Sequence, residues 1–176
     1  MNIYQKRYWE LLKELKTHVI YLQIYASRSD NWDKTINIFL AITSSSSIAA
    51  WAIWQKYQII WAVLIALSQV ITVIIPFLPH KKRLKAISEL NDKIQEISLE
   101  CEKNWFSVSE GLFTEKEIHE LTISLKDKSF KAEKRYLKNL VLPKKNTILS
   151  QAEEDADLYF TNNYLLKGEI INEQSE

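Results

Sequence analysis

Few residues in this chain have the type and spacing that catalysis or metal binding needs. His119-Glu120 begins like a zinc-protease helix, but no second histidine follows at the required spacing, so the metal would lack an imidazole. His18 has no companion ligand three or four residues on and reads as an ordinary surface or boundary histidine. The three histidines fall in separate segments, none beside a serine, cysteine or threonine at motif spacing. Asp30, Asn31 and Asp33 do not match a calcium loop; side chains of this kind more often cap a helix. The acids Glu153, Glu154, Asp155 and Asp157 could ligate a metal, yet their run fits a solvated helix face. With two glycines in the whole chain, a phosphate-cradling loop is disfavoured. The expectation is a protein that is not an enzyme, with no catalytic residue, no metal site and no cofactor.

The polar groups that stand out do so because of what surrounds them. Ser44, Ser45, Ser46 and Ser47 lie within Thr35–Trp54, and Gln69 and Thr72 lie within Ile59–Leu78. Each run is 20 residues long and free of charge. About 20 apolar residues cross a bilayer core as a helix, and lipid demands that backbone groups be satisfied within the segment. Only Gln55-Lys56-Tyr57-Gln58 separates the runs, so they read as a tight transmembrane hairpin, the alternative being a buried hairpin in a soluble bundle. Folding the hairpin about its loop sets Gln69 level with Ser44 at mid-membrane. Ala62, Ala66, Gln69, Thr72 and Pro76 share one face of the second helix, and the first is small nearly all round its centre. Two uses of this seam stay open. Hydroxyls and amide hold helices together, or they line a water-filled path, which would take several copies to enclose.

Charge sets the orientation. Arg28 and Lys34 precede the first span, and His80, Lys81, Lys82, Arg83 and Lys85 follow the second, while the loop holds only Lys56. Positive flanks stay inside, so both termini are expected in the cytoplasm. Trp51, Trp54, Tyr57 and Trp61 would sit in the headgroup zone at the tip, and Trp32 at the inner surface. Lys81, Lys82 and Arg83 would attract anionic lipid headgroups. The net charge of +1 gives no global field for nucleic acid, and no nucleic-acid partner is expected.

Helical elements must carry the rest. From Ile3 to about Ser27, Tyr8, Leu12, Leu15, Val19, Leu22 and Ala26 recur at three- and four-residue steps. Ser27–Lys34 reads as a break rich in capping residues. After Pro79 the stripe Leu84, Ile87, Leu90, Ile94, Ile97 and Cys101 repeats the pattern, and the simplest arrangement packs the two stripes together. Cys101 completes that stripe and is expected to pack, not react; being the only cysteine, it forms no intrachain disulfide. Gly111 marks a turn, and Thr114 with Glu117 fits a capping box, flanked by a Phe113–Ile118 staple. Helices are expected from Glu115 toward Leu140, stopped at Leu142-Pro143, and from about Thr147 to Leu166. The fold class is an all-α membrane protein: an N-terminal cytoplasmic helix (1–34), a transmembrane hairpin (35–78) and a cytoplasmic helical domain with a frayed tail (79–176).

A cytoplasmic helix, the juxtamembrane Tyr25-Ala26-Ser27-Arg28, a tight hairpin with small residues and a helical tail resemble the SLATT proteins. These are bacterial two-transmembrane effectors that accompany nucleotide second-messenger synthases, SLOG-type sensors or reverse transcriptases. The resemblance covers roughly Met1–Glu110 in architecture and carries over no site residue. It implies an antiviral-defence effector that oligomerises in the inner membrane and perturbs it. The expected partners are membrane lipids, further copies of the chain and a regulatory or sensor protein. The other reading is a membrane anchor that recruits a cytosolic partner through residues 112–166.

Overall fold

A computed structural model describes residues 1–53, 58–75, 80–138, 140, 142 and 144–165, with side chains at 43–53, 58, 61, 80, 81 and 165 left out. The described chain is all-helical: α1 (Ile3–Ile53), α2 (Gln58–Ile74), α3 (His80–Ser109), α4 (Glu115–Tyr136) and α5 (Asn146–Phe160), with a π-helical turn over Thr161–Leu165. It divides into two units, the first made of Met1–Ala26 and Lys85–Glu176, the second of Ser27–Leu84.

The first unit is a four-helix bundle with neighbours running alternately up and down. Its framework is legible from contacts made by α1. Gln5 Nε2 donates to the carbonyl of Val108, and Tyr8 Oη donates to that of Cys101, so α1 and α3 are antiparallel. Tyr4 meets His119 edge-on and His18 lies 3.6 Å from Glu133, which sets α4 parallel to α1. Trp9 meets Phe160, and the Lys145 amide donates to Tyr21 Oη, so α5 runs back along α1. Both sequence stripes fill the shared core: Tyr8, Leu12, Leu15, Val19 and Leu22 from α1, and Ile87, Leu90, Ile94, Ile97 and Cys101 from α3. Ala26 and Leu84, at the ends of the stripes, are half-buried. This burial orders the bundle, since apolar area removed from water is its main source of stability.

Local chemistry sets the helix ends. The Asn2 side chain accepts from the Gln5 amide while Gln5 accepts from the Asn2 amide, a reciprocal cap that opens α1. Gly111 takes φ +71°, a left-handed conformation that a residue without Cβ adopts cheaply, and it ends the α3 turn. The box expected at Thr114 and Glu117 is present in both directions, with Phe113 and Ile118 in the same apolar cluster. Two helix ends fall short of the sequence reading. α4 stops at Tyr136 instead of running toward Leu140, and α5 gives way to a π-helical turn at Thr161. Pro143 lies outside the described residues.

The expected break at Ser27–Lys34 is absent: α1 runs through it without interruption. No proline or glycine lies between Ile3 and Ile53. The would-be capping residues instead bond within the helix, Asp30 pairing with Lys34 at 2.6 Å and the Asn31 carbonyl accepting from Thr35 Oγ1 at 2.9 Å. Ser, Asn and Asp favour helix starts only where a chain turns there; nothing here forces a turn.

In the second unit α2 has 17 helical residues, about 26 Å at 1.5 Å rise per residue. Among the described residues no helix is long and apolar enough to cross a membrane. The expected spans Thr35–Trp54 and Ile59–Leu78, their connecting loop and the tip aromatics Trp51, Trp54, Tyr57 and Trp61 fall partly or wholly outside the described residues and side chains.

Candidate functional site

The two units bury opposite kinds of residue. Among the described residues, every buried hydrophobic side chain belongs to the first unit. In the second, among the described residues, the one buried side chain is polar: Ser68, 6% exposed. Its hydroxyl donates to the Ile65 carbonyl at 2.8 Å. Leu64, Ile65, Ile71 and Ile75, at helical spacing around it, are half-buried and complete the covered side of α2. The remaining apolar residues face out: Ile59, Ile60, Val63, Leu67, Val70 and Val73 are each more than half exposed. From α1, Trp32, Ile38 and Ile42 do the same. Contiguous exposed apolar patches are the kind of surface that lipid or protein covers.

The seam residues separate within this frame. Ala62, Ala66, Gln69 and Thr72 are all exposed, so the face expected to meet a neighbouring helix is open in this chain. Thr72 Oγ1 donates to the Ser68 carbonyl at 2.8 Å, which satisfies it locally. Gln69 makes no hydrogen bond among the described residues; the serines it was expected to meet, in its own hairpin or a neighbour's, fall outside the described side chains. Ser44, Ser45, Ser46 and Ser47 lie in α1, but their side chains fall outside the described residues. Ser68 was missed in the sequence because Gln69 beside it is the more polar residue. Only the i, i+1, i+4, i+7 and i+11 spacing of Leu64, Ile65, Ser68, Ile71 and Ile75 could have revealed it.

Of the basic flank, Lys82 is exposed and Arg83 half-buried, with its Nε buried and lacking a hydrogen-bond partner among the described residues. Lys81 falls outside the described side chains.

Polar clusters in the first unit are structural in form. His18 Nδ1 lies 3.6 Å from Glu133 Oε1 beside a groove of about 560 Å³ floored by Tyr21, Leu137, Leu142 and Leu149. Burial holds the imidazole below its ordinary value, opposed by Glu133 and Glu14. Glu102 accepts from Tyr159 Oη at 2.5 Å and from Tyr164 Oη at 2.8 Å, fastening α5 and its π-helical turn to α3. Burial, then Glu102, pushes the Tyr159 phenol up to about 12. Cys101 is fully buried, and burial pushes its thiol up to about 12. The nucleophilic thiolate is therefore unfavourable there, in keeping with a packing role. Glu153, Glu154, Asp155 and Asp157 are exposed, as a solvated face requires, and Asp157 meets Lys13 at 3.3 Å. Among the described residues, no three His, Cys, Asp or Glu side chains converge as a metal site. Comparison with family models, with curated proteins and with solved structures finds no match.

Proposed function

We propose that this chain is a membrane effector: a two-helix hairpin in the bacterial inner membrane, both termini cytoplasmic, that oligomerises and perturbs the bilayer. One observation carries the reading. The second unit, among its described residues, covers Ser68 and turns Ile59, Ile60, Val63, Leu67, Val70 and Val73 outward. In water the outward residues would gain no burial to offset the entropy of ordering the segment. In lipid the outward residues meet a solvent as apolar as themselves, and small or polar groups between helices do the holding. The first unit needs no such environment, because its apolar stripes already meet each other. Lys82 and Arg83 at the base of the hairpin support contact with anionic headgroups. The role is non-enzymatic, in line with a resemblance to SLATT proteins and with a trigger delivered by a sensor protein.

A second reading has its own observation. Leu99 and Phe106 on α3, and Ile123 and Phe130 on α4, are exposed at seven-residue spacing, a surface suited to a cytosolic partner of a simple membrane anchor. Expression with a potential-sensitive dye separates the two. The effector depolarises cells, and changing Gln69 and Ser44–Ser47 to Leu abolishes this while the protein still inserts. Depolarisation that persists in the inserted variant rules out the polar seam as its cause; no depolarisation by the parent chain favours the anchor.

A further inference from the structure

From the outward position of the Gln69 amide, unpaired among the described residues, we infer that α2 binds a second copy of this chain through the face bearing Ala62, Ala66 and Gln69. The inference rests on the membrane reading above. At 100° per residue, these three positions and Val73 fall within an arc of about 60°. The centre of that arc lies about 130° round the helix from the covered side centred on Ser68, so the chain's own packing leaves it free. All four residues are exposed.

The amide selects the occupant. Gln69 makes no hydrogen bond among the described residues, and the residues three and four positions away on either side offer no free side-chain partner: Ile65, Ala66, Thr72 and Val73, with the Thr72 hydroxyl already given to the Ser68 carbonyl. A carboxamide in hydrocarbon without a partner is costly, and lipid tails supply neither donor nor acceptor. It is also self-complementary, with an N–H₂ that donates and an oxygen that accepts. Copies inserted in the same direction bring the same residue to the same depth, so Gln69 meets Gln69 and each amide both gives and receives. Ala62 and Ala66, four residues apart one turn away, let the two backbones come close enough for that exchange. A water-filled lining would also hydrate the amide, but it would hold the α2 backbones apart at this point. Close apposition at position 69 is what distinguishes the pairing.

The test uses the full chain in native membranes, where the one natural thiol, Cys101, is buried. Gln69→Cys is expected to form an intermolecular disulfide under mild oxidation, and Ala66→Cys likewise. Leu67→Cys, exposed on another side of the same helix, is expected to remain unlinked. Gln69→Leu should weaken self-association in nanodiscs, read by energy transfer between labelled copies, by about 3- to 30-fold. Gln69→Asn should retain most of it. Equal cross-linking at positions 67 and 69, no cross-linking at 69, or unchanged association of Gln69→Leu would overturn the inference. Alkaline extraction of the same membranes distinguishes the two levels. A chain that stays in the pellet but fails these tests is inserted without this interface, whereas a chain that is released overturns the membrane reading and the interface together.

Discussion

Burial of His18 links protonation to stability. Because its folded-state value is held below the ordinary 6.5, the unfolded chain binds more protons in the window beneath 6.5. The stability His18 contributes is therefore fully present above about pH 6.5 and is lost as pH falls through the lowered value. Thermal melts of His18→Leu should fall less between pH 7 and 5 than those of the parent chain; equal slopes would show that this imidazole is not the group responsible. Glu117 acts in a lower window. Bonds from the Thr114 amide and hydroxyl hold its carboxyl below the ordinary 4.5, so its contribution is present above that value and lost below it. Thr114→Ala should cost about 1 kcal/mol at neutral pH, measured by denaturant unfolding in detergent. The cap was legible because four residues of sequence contain all its parts. The His18–Glu133 contact was not, since it joins residues 115 positions apart through the packing of two helices.

Helices whose apolar stripes were periodic emerged where the spacing placed them, and the stripes of α1 and α3 met as expected. Periodicity reports a buried face directly, and two faces in one small chain have few alternatives to each other. Punctuation was read less well. Ser27–Lys34 has the composition of a break, but without proline or glycine the helix continues, with Asp30 pairing to Lys34 and Thr35 donating back to the Asn31 carbonyl. Ser29→Pro therefore discriminates. In an uninterrupted α1 it should cost about 3 kcal/mol or more and lower helicity by circular dichroism, whereas a break would accept it with little change. Gly111→Ala should cost about 1 kcal/mol, arising from its positive φ alone, because a Cβ there meets nothing within 4 Å.

At the scale of the whole molecule, the proposed membrane role assigns the two units to different solvents. Hydropathy made the apolar runs legible, and their length suggested spans. Sequence could not show which side of α2 the fold covers, because Ser68 and Gln69 are adjacent and only packing tells them apart. If the hairpin spans the bilayer, tags at either end should be digested by protease only when inverted vesicles or lysed cells expose the cytoplasmic face. Digestion of either tag in intact spheroplasts would contradict that arrangement.

Leu67 gives the most direct test that α2 faces lipid, since it is 51% exposed and points away from the proposed self-association face. A fluorophore attached through Leu67→Cys, in the full chain reconstituted into bilayers, can be quenched from either solvent. The expected result is strong quenching by nitroxide-labelled acyl chains and little by aqueous iodide. Strong quenching by iodide with none from the acyl chains would place α2 in water and contradict a membrane hairpin.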